Sequence, residues 1–150
     1  MKKHTVAGAM LAAMAACALV TPAVAATTAP ADVQVELWNK ADGSQGMTLN
    51  TDHAKAGSVK FEVKNSSSNM VHEFLILKTN MKFEQFPKDP QNPAVVDESK
   101  LKGVKELSSD LDPGKSGSLT MNLKPGRYVV FCNQPGHFDG GMHLVFTVTK

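Results

Sequence analysis

Hydrophobic and polar residues alternate strictly in two places along the chain. Val33, Val35 and Leu37 interleave with Gln34, Glu36 and Trp38, and Val59, Phe61 and Val63 interleave with Lys60, Glu62 and Lys64. A period of two is that of a strand with one buried face, so both stretches are predicted as half-buried strands. Asp42-Gly43-Ser44 marks a turn after the first, and Asn65-Ser-Ser-Ser ends the second. A third strand is predicted over 71–78, where the unbroken run Phe74-Leu75-Ile76-Leu77 asks for apolar surroundings on both faces. Over 79–107 the pattern breaks. Pro87, Pro90 and Pro93 rule out a long helix there, and an irregular excursion with a short helical turn or two is expected. Alternation returns at 116–123, with Leu119, Met121 and Leu123 on one face, between turns at Leu111-Asp-Pro-Gly and Lys124-Pro125-Gly126. Strands over 127–132 and 142–149 complete the set. Several short strands with almost no sustained helical period predict an all-β sandwich or barrel.

The first residues carry a different signal. Lys2 and Lys3 precede an apolar stretch from Val6 to Val20, and Ala23-Val24-Ala25 supplies a small-x-small cleavage site. Residues 1–25 therefore read as a secretory signal peptide, too short and too rich in small residues for a spanning helix. The mature chain, 26–150, is one domain that opens on a loose lead-in over 26–32. Met14-Ala15-Ala16 ahead of Cys17 also permits a lipoprotein reading, but Met stands where Leu is usual and the Ala-x-Ala site competes. The expected location is the periplasm, as a monomer. Removing Lys2 and Lys3 leaves 14 basic against 14 acidic residues. That balance, with both signs mixed, supports neither nucleic-acid binding nor a stable membrane contact. Exported proteins usually spend cysteines on disulfides, yet the mature chain holds Cys132 alone. A lone thiol in an oxidising compartment calls for burial or a metal.

That thiol sits in Phe131-Cys132-Asn-Gln-Pro-Gly-His137-Phe-Asp-Gly-Gly-Met142, the spacing C-x₄-H-x₄-M. With one more imidazole, a thiolate, two histidines and a weak axial methionine make a mononuclear electron-transfer copper site. His72, in the strand-like run Met70-Val-His72-Glu-Phe-Leu-Ile-Leu, is the candidate second histidine. Cys132 would bind strongly as thiolate, His72 and His137 would give neutral nitrogens acceptable to both oxidation states, and Met142 would add a soft contact. Pro135-Gly136 and Gly140-Gly141 let one segment turn tightly enough to supply three ligands. Such a site has no free coordination position for a substrate, which favours electron transfer over catalysis. His53 and His143 compete for the histidine role. Side chains alternate along a strand, so His143 should face away from Met142, and both are expected at the surface.

Rival sites fail on specifics. Met is a poor zinc ligand, and structural zinc uses Cys and His in fours. A binuclear copper centre would need a second Cys where Gly136 stands. A cysteine hydrolase would place its thiolate beside a base and an oxyanion pocket, whereas Cys132 closes an apolar run. Each residue alone would usually be packing or surface. The joint spacing is what points to a metal.

Leu123-Lys-Pro-Gly-Arg-Tyr128-Val-Val-Phe-Cys132 resembles the penultimate strand of the cupredoxins, small type 1 blue-copper proteins, and Gly141-Met142-His-Leu-Val-Phe-Thr-Val resembles their final one. The loop spacing is similar to that of the rusticyanin-like and small periplasmic copper-protein groups. The resemblance implies a Greek-key β-sandwich and one copper ion per chain cycling between Cu(I) and Cu(II). It also implies a soluble one-electron carrier whose redox partner protein docks near His137, over an apolar surface of Pro135 and Phe138. One departure stands out: plastocyanins and azurins typically carry Asn after the first His ligand, and here that residue is Glu73. The alternative reading is a periplasmic copper-handling protein for tolerance or delivery, which extra clusters of Met and His would favour. Met47, His53 and Met70 are scattered instead.

Overall fold

The computed structural model describes residues 29–150, so the expected signal peptide, its expected cleavage site and Cys17 lie outside the described residues. Among the described residues nine strands form two sheets: β1 (Ala31–Asn39), β2 (Gln45–Leu49), β3 (His53–Lys55), β4 (Gly57–Asn65), β5 (Leu75–Lys78), β6 (Lys105–Glu106), β7 (Ser116–Leu123), β8 (Gly126–Phe131) and β9 (His143–Thr149). One sheet has the order β2-β1-β4-β7 and the other β3-β9-β8-β5-β6. Both are mixed, because β1 runs parallel to β4 and β3 parallel to β9 while the other pairs are antiparallel. The chain crosses between the sheets repeatedly, as in the sandwich that the resemblance implies.

The two alternating segments become β1 and β4, and their apolar faces meet the second sheet as expected. Val33, Val35, Leu37, Val59, Phe61 and Val63 pack with Phe74, Ile76, Tyr128, Val130, Phe146 and Val148 in one core. Phe61 is its centre, with ring centroids 5.5 Å from Phe74 and 5.3 Å from Phe146. Cys132 and Met142 belong to the same cluster. The outer face of β5 and β8 is not open to water either. Leu75, Leu77, Val129 and Phe131 meet Phe86, Val96, Leu101 and Phe138 in a second cluster. The excursion over 79–107 thus acts as a third layer, which explains why the run from Phe74 to Leu77 is apolar on both faces. It contains two short 3₁₀ turns, Phe83–Gln85 and Glu98–Lys100.

Three boundaries differ from expectation. The third strand begins at Leu75 rather than at residue 71, and His72 instead forms an isolated bridge with Leu111. Cys132 lies just past β8 and Met142 just before β9, so both belong to the loop between them. Among the described residues no helix is long and apolar enough to cross a membrane.

Candidate metal centre

The loop over 132–142 joins two adjacent antiparallel strands, and its own backbone closes it. Cys132 N–H donates to Met142 O at 3.0 Å, Met142 N–H to His137 O at 3.0 Å, and His137 N–H to Gln134 O at 2.9 Å. Gly136 and Gly141 sit at φ +80° and +93°, a region that side-chain-bearing residues rarely adopt. The coil is tight enough to bring Cys132, His137 and Met142 to one end of the sandwich.

His72 arrives from the segment between β4 and β5. Its backbone is held by a reciprocal pair with Leu111, N–H to Leu111 O at 3.0 Å and O from Leu111 N–H at 2.8 Å. Leu111 O also accepts a bond from the side-chain amide of Asn65 at 2.8 Å. Asn65 is fully buried and binds Met70 O at 2.8 Å with the same amide group, while its Oδ1 accepts from Ser67 N–H at 2.9 Å. A polar hub thus fixes the approach to His72.

Three of the four candidate ligands converge. His72 Nδ1 lies 3.2 Å from His137 Nδ1, and Cys132 Sγ lies 3.4 Å from His137 Nδ1 and 3.9 Å from His72 Nδ1. His72 and Cys132 are fully buried and His137 is 6 % exposed. The point equidistant from three atoms so spaced lies about 2.0 Å from each, the length of a metal–imidazole bond in zinc sites. Two neutral imidazoles facing through Nδ1 share one proton at most, and a thiol is a weak partner. The donor set is therefore the kind a soft or borderline cation completes. Met142, also fully buried, lies in the same apolar cluster as Cys132 and is tied by its backbone to both Cys132 and His137.

The surroundings suppress every charged form in the metal-free chain. Burial, with the neighbouring His137, lowers His72 to about 4, and burial lowers His137 as well. Burial raises the Cys132 thiol to about 11 although the Glu73 and Gln134 backbone N–H groups favour the thiolate. The Glu73 N–H donates to Sγ at 3.3 Å. The Glu73 carboxyl is raised to about 7, first by burial and then by Glu98, Asp110 and Glu106. The acid after His72 is therefore half-buried, neither a free surface charge nor a tight ion pair.

Other expectations need correction. His53 is exposed and paired with Asp52 at 2.8 Å, as expected. His143 does face away from the site, but its ring is half-buried, 3.8 Å from the Phe83 ring centroid and 4.9 Å from that of Phe138. Phe138 is buried in the second cluster and offers no docking surface, while Pro135 stays exposed. The excursion overturns both expectations, because it covers the face that a two-layer sandwich leaves to solvent. Sequence reasoning also missed Asn65 and Asn133, whose buried amides hydrogen-bond on the segments that lead to His72 and follow Cys132. Asparagine beside serine, or two residues before proline, reads as turn chemistry, and nothing local separates a buried hub from an exposed turn.

No family model matches the chain, and no curated protein does. Solved structures do. A dithionite-reduced auracyanin from the photosynthetic bacterium Roseiflexus castenholzii aligns with 83 % of this chain and 100 % of its own, at 23 % identity and TM-score 0.52. Rusticyanin from Thiobacillus ferrooxidans aligns over 79 % of this chain and 76 % of its own, at 15 % identity and TM-score 0.57. Auracyanin B gives 83 % and 93 %, at 21 % identity and TM-score 0.55. The likeness establishes the fold as a cupredoxin-type β-sandwich.

Proposed function

We propose that this cupredoxin-fold protein is an exported electron carrier that holds a single type 1 copper ion through His72, Cys132, His137 and Met142. The observation that carries the reading is the buried triangle of two Nδ1 atoms and one Sγ with sides of 3.2, 3.4 and 3.9 Å. Copper held there would supply one-electron redox chemistry. The chain's part is to present neutral imidazoles, to direct the sulfur with the Glu73 N–H, and to exclude water with the apolar cluster around Cys132 and Met142. A metal held by all four of these residues would have no free coordination position for a substrate, which supports a carrier over a catalyst. The N-terminal export pattern supports a periplasmic location. A redox partner would dock around the His137 loop, where Pro135 is exposed. Burial of all three donors supports retention of the ion, as a carrier needs, over ready surrender to an acceptor.

The test is a titration of the purified mature chain with Cu(II), followed by visible absorption and electron paramagnetic resonance. An intense thiolate-to-copper band should saturate at one copper per chain, bleach with reductant and return with oxidant. Absence of the band would sink the reading, and irreversible loss on reduction would shift it to copper handling.

Two further outcomes follow from the site. Near neutral pH the thiol is protonated and His72, at about 4, is neutral, while the thiolate is the form that binds metal. Loading should therefore release one proton per copper, counted by calorimetry in buffers of different ionisation enthalpy. Zero protons released would mean that Cys132 does not ligate. Met142→Leu should keep copper but raise the reduction potential by roughly 60 mV, a tenfold shift in a one-electron couple. Leucine offers no lone pair to the more highly charged oxidised ion. Voltammetry of the two proteins checks this, and a lowered or unchanged potential would remove Met142 from the ligand set.

A further inference from the structure

The residue after Cys132 spends its whole side chain on a distant segment. Asn133 is buried, and its Oδ1 accepts from Val96 N–H at 2.7 Å. Its Nδ2 donates to Val96 O at 3.1 Å and to Glu98 Oε1 at 2.6 Å. The amide pairs with the Val96 backbone on both its N–H and its C=O, as a neighbouring strand would, but from a side chain. The contact spans 37 positions of sequence and joins the Cys132 end of the 132–142 loop to the excursion. The same excursion grips the loop twice more, through Gly136 N–H on Ala94 O at 2.8 Å and Lys88 on Asp139 at 2.6 Å. Of the three grips, only that of Asn133 acts on the residue bonded to Cys132.

We infer that Asn133 is a positioning residue that clamps the Cys132 end of the loop to the excursion and so holds Sγ toward His72 and His137 before any metal arrives. The inference rests on the copper reading for its purpose but not for its geometry. Sγ lies just past the last ladder pair of β8, where the Cys132 N–H bond to Met142 O and the Glu73 N–H on Sγ tie it to the far end of the loop and to the His72 segment, but not to the excursion. Three bonds from one amide add that third anchor. Loss of the amide leaves the Val96 N–H and C=O buried without that partner, and it lets the segment after Phe131 open.

The experiment compares the full mature chain with Asn133→Ala and Asn133→Asp. In metal-free protein, alkylation of Cys132 by iodoacetamide should speed up at least about tenfold in Asn133→Ala, while circular dichroism still shows the folded sandwich. Asn133→Asp keeps the acceptor for Val96 N–H but sets a carboxylate oxygen against Val96 O and the Glu98 carboxylate in place of both donated bonds, so it too should accelerate alkylation. Its added negative charge would by itself slow the reaction, so acceleration there reports opening of the loop. It also serves as the deciding variant if Asn133→Ala fails to fold. With copper, stoichiometry should stay at one while the thiolate band shifts in energy or intensity. Alkylation rates equal to the parent's in the folded variants would overturn the inference. A parent that gives no copper band, with variants that still alkylate faster, would overturn the copper reading and leave the clamp standing.

Discussion

Cys132→Ala should abolish the thiolate-to-copper absorption completely and weaken copper binding by at least about a hundredfold, the share of binding energy that one of four ligands supplies in structural metal sites. The sulfur is the single thiol among the described residues and the one donor of the triangle that can carry negative charge. Without it, His72 and His137 remain as two neutral nitrogens facing each other at 3.2 Å. Nothing else in the pocket can give an intense sulfur-based transition, since a thioether such as Met142 donates too weakly. The substitution should barely disturb the metal-free fold. A buried free cysteine packs as a small hydrophobe, and its truncation to alanine removes one sulfur atom, at a cost of about 1 kcal/mol. A denaturant melt of the metal-free variant therefore separates loss of site from loss of structure. A coloured, copper-loaded Cys132→Ala protein would show the site assignment to be wrong.

How far the site could be read from the chain depends on how local each contact is. Cys132 and His137 lie within six residues, and a glycine at positive φ between them makes the coil they need, so their meeting was legible in the spacing. His72 was legible through its apolar surroundings, though the strand drawn around it starts three residues later than the histidine. The alternating strands β1 and β4 were legible because each has one wet and one dry face. β2 was not. Its Gly46 lies under the Trp38 ring, where a Cβ would clash with the indole, so the position reads as a turn residue although it sits in a strand. β3 and β6 have three and two residues, too few for any period to show. The layer formed by 79–107 escaped notice for a different reason. Its apolar residues Phe86, Val96 and Leu101 are spaced irregularly among prolines and charges, and only their common target on β5 and β8 unites them. That hidden layer explains the misplacement of Phe138 and His143, and it supplies the partner that Asn133 holds.

Asn65→Ala should cost about 2–4 kcal/mol of folding stability, an effect as large as many core truncations from a residue that no hydrophobic pattern marks. The side chain makes four hydrogen bonds inside the protein. Its amide donates to Met70 O and Leu111 O, each at 2.8 Å, and its Oδ1 accepts from the N–H and the hydroxyl of Ser67. Alanine fills none of these roles, and water cannot readily replace them, because Asn65 is fully buried and Ser67 is 4 % exposed. Two of the deserted groups have a second partner, since the Ser67 hydroxyl, released from Asn65, can turn its one proton to Met70 O at 2.6 Å, and Leu111 O keeps His72 N–H at 3.0 Å. The Ser67 N–H keeps none, and that orphan together with the lost bonds sets the estimate. The damage should reach the metal centre as well, because the Leu111 carbonyl that loses Asn65 is the one that holds the His72 backbone. Copper affinity should fall roughly tenfold to a hundredfold, the usual range for a residue that supports a ligand without touching the metal. Urea unfolding of the metal-free proteins measures the first effect, and competition against a copper chelator measures the second. A stability loss below about 1 kcal/mol would mean the loop over 66–71 reorganises freely. Unchanged affinity beside a large stability loss would mean that the 132–142 loop and the metal place His72 without help from the hub.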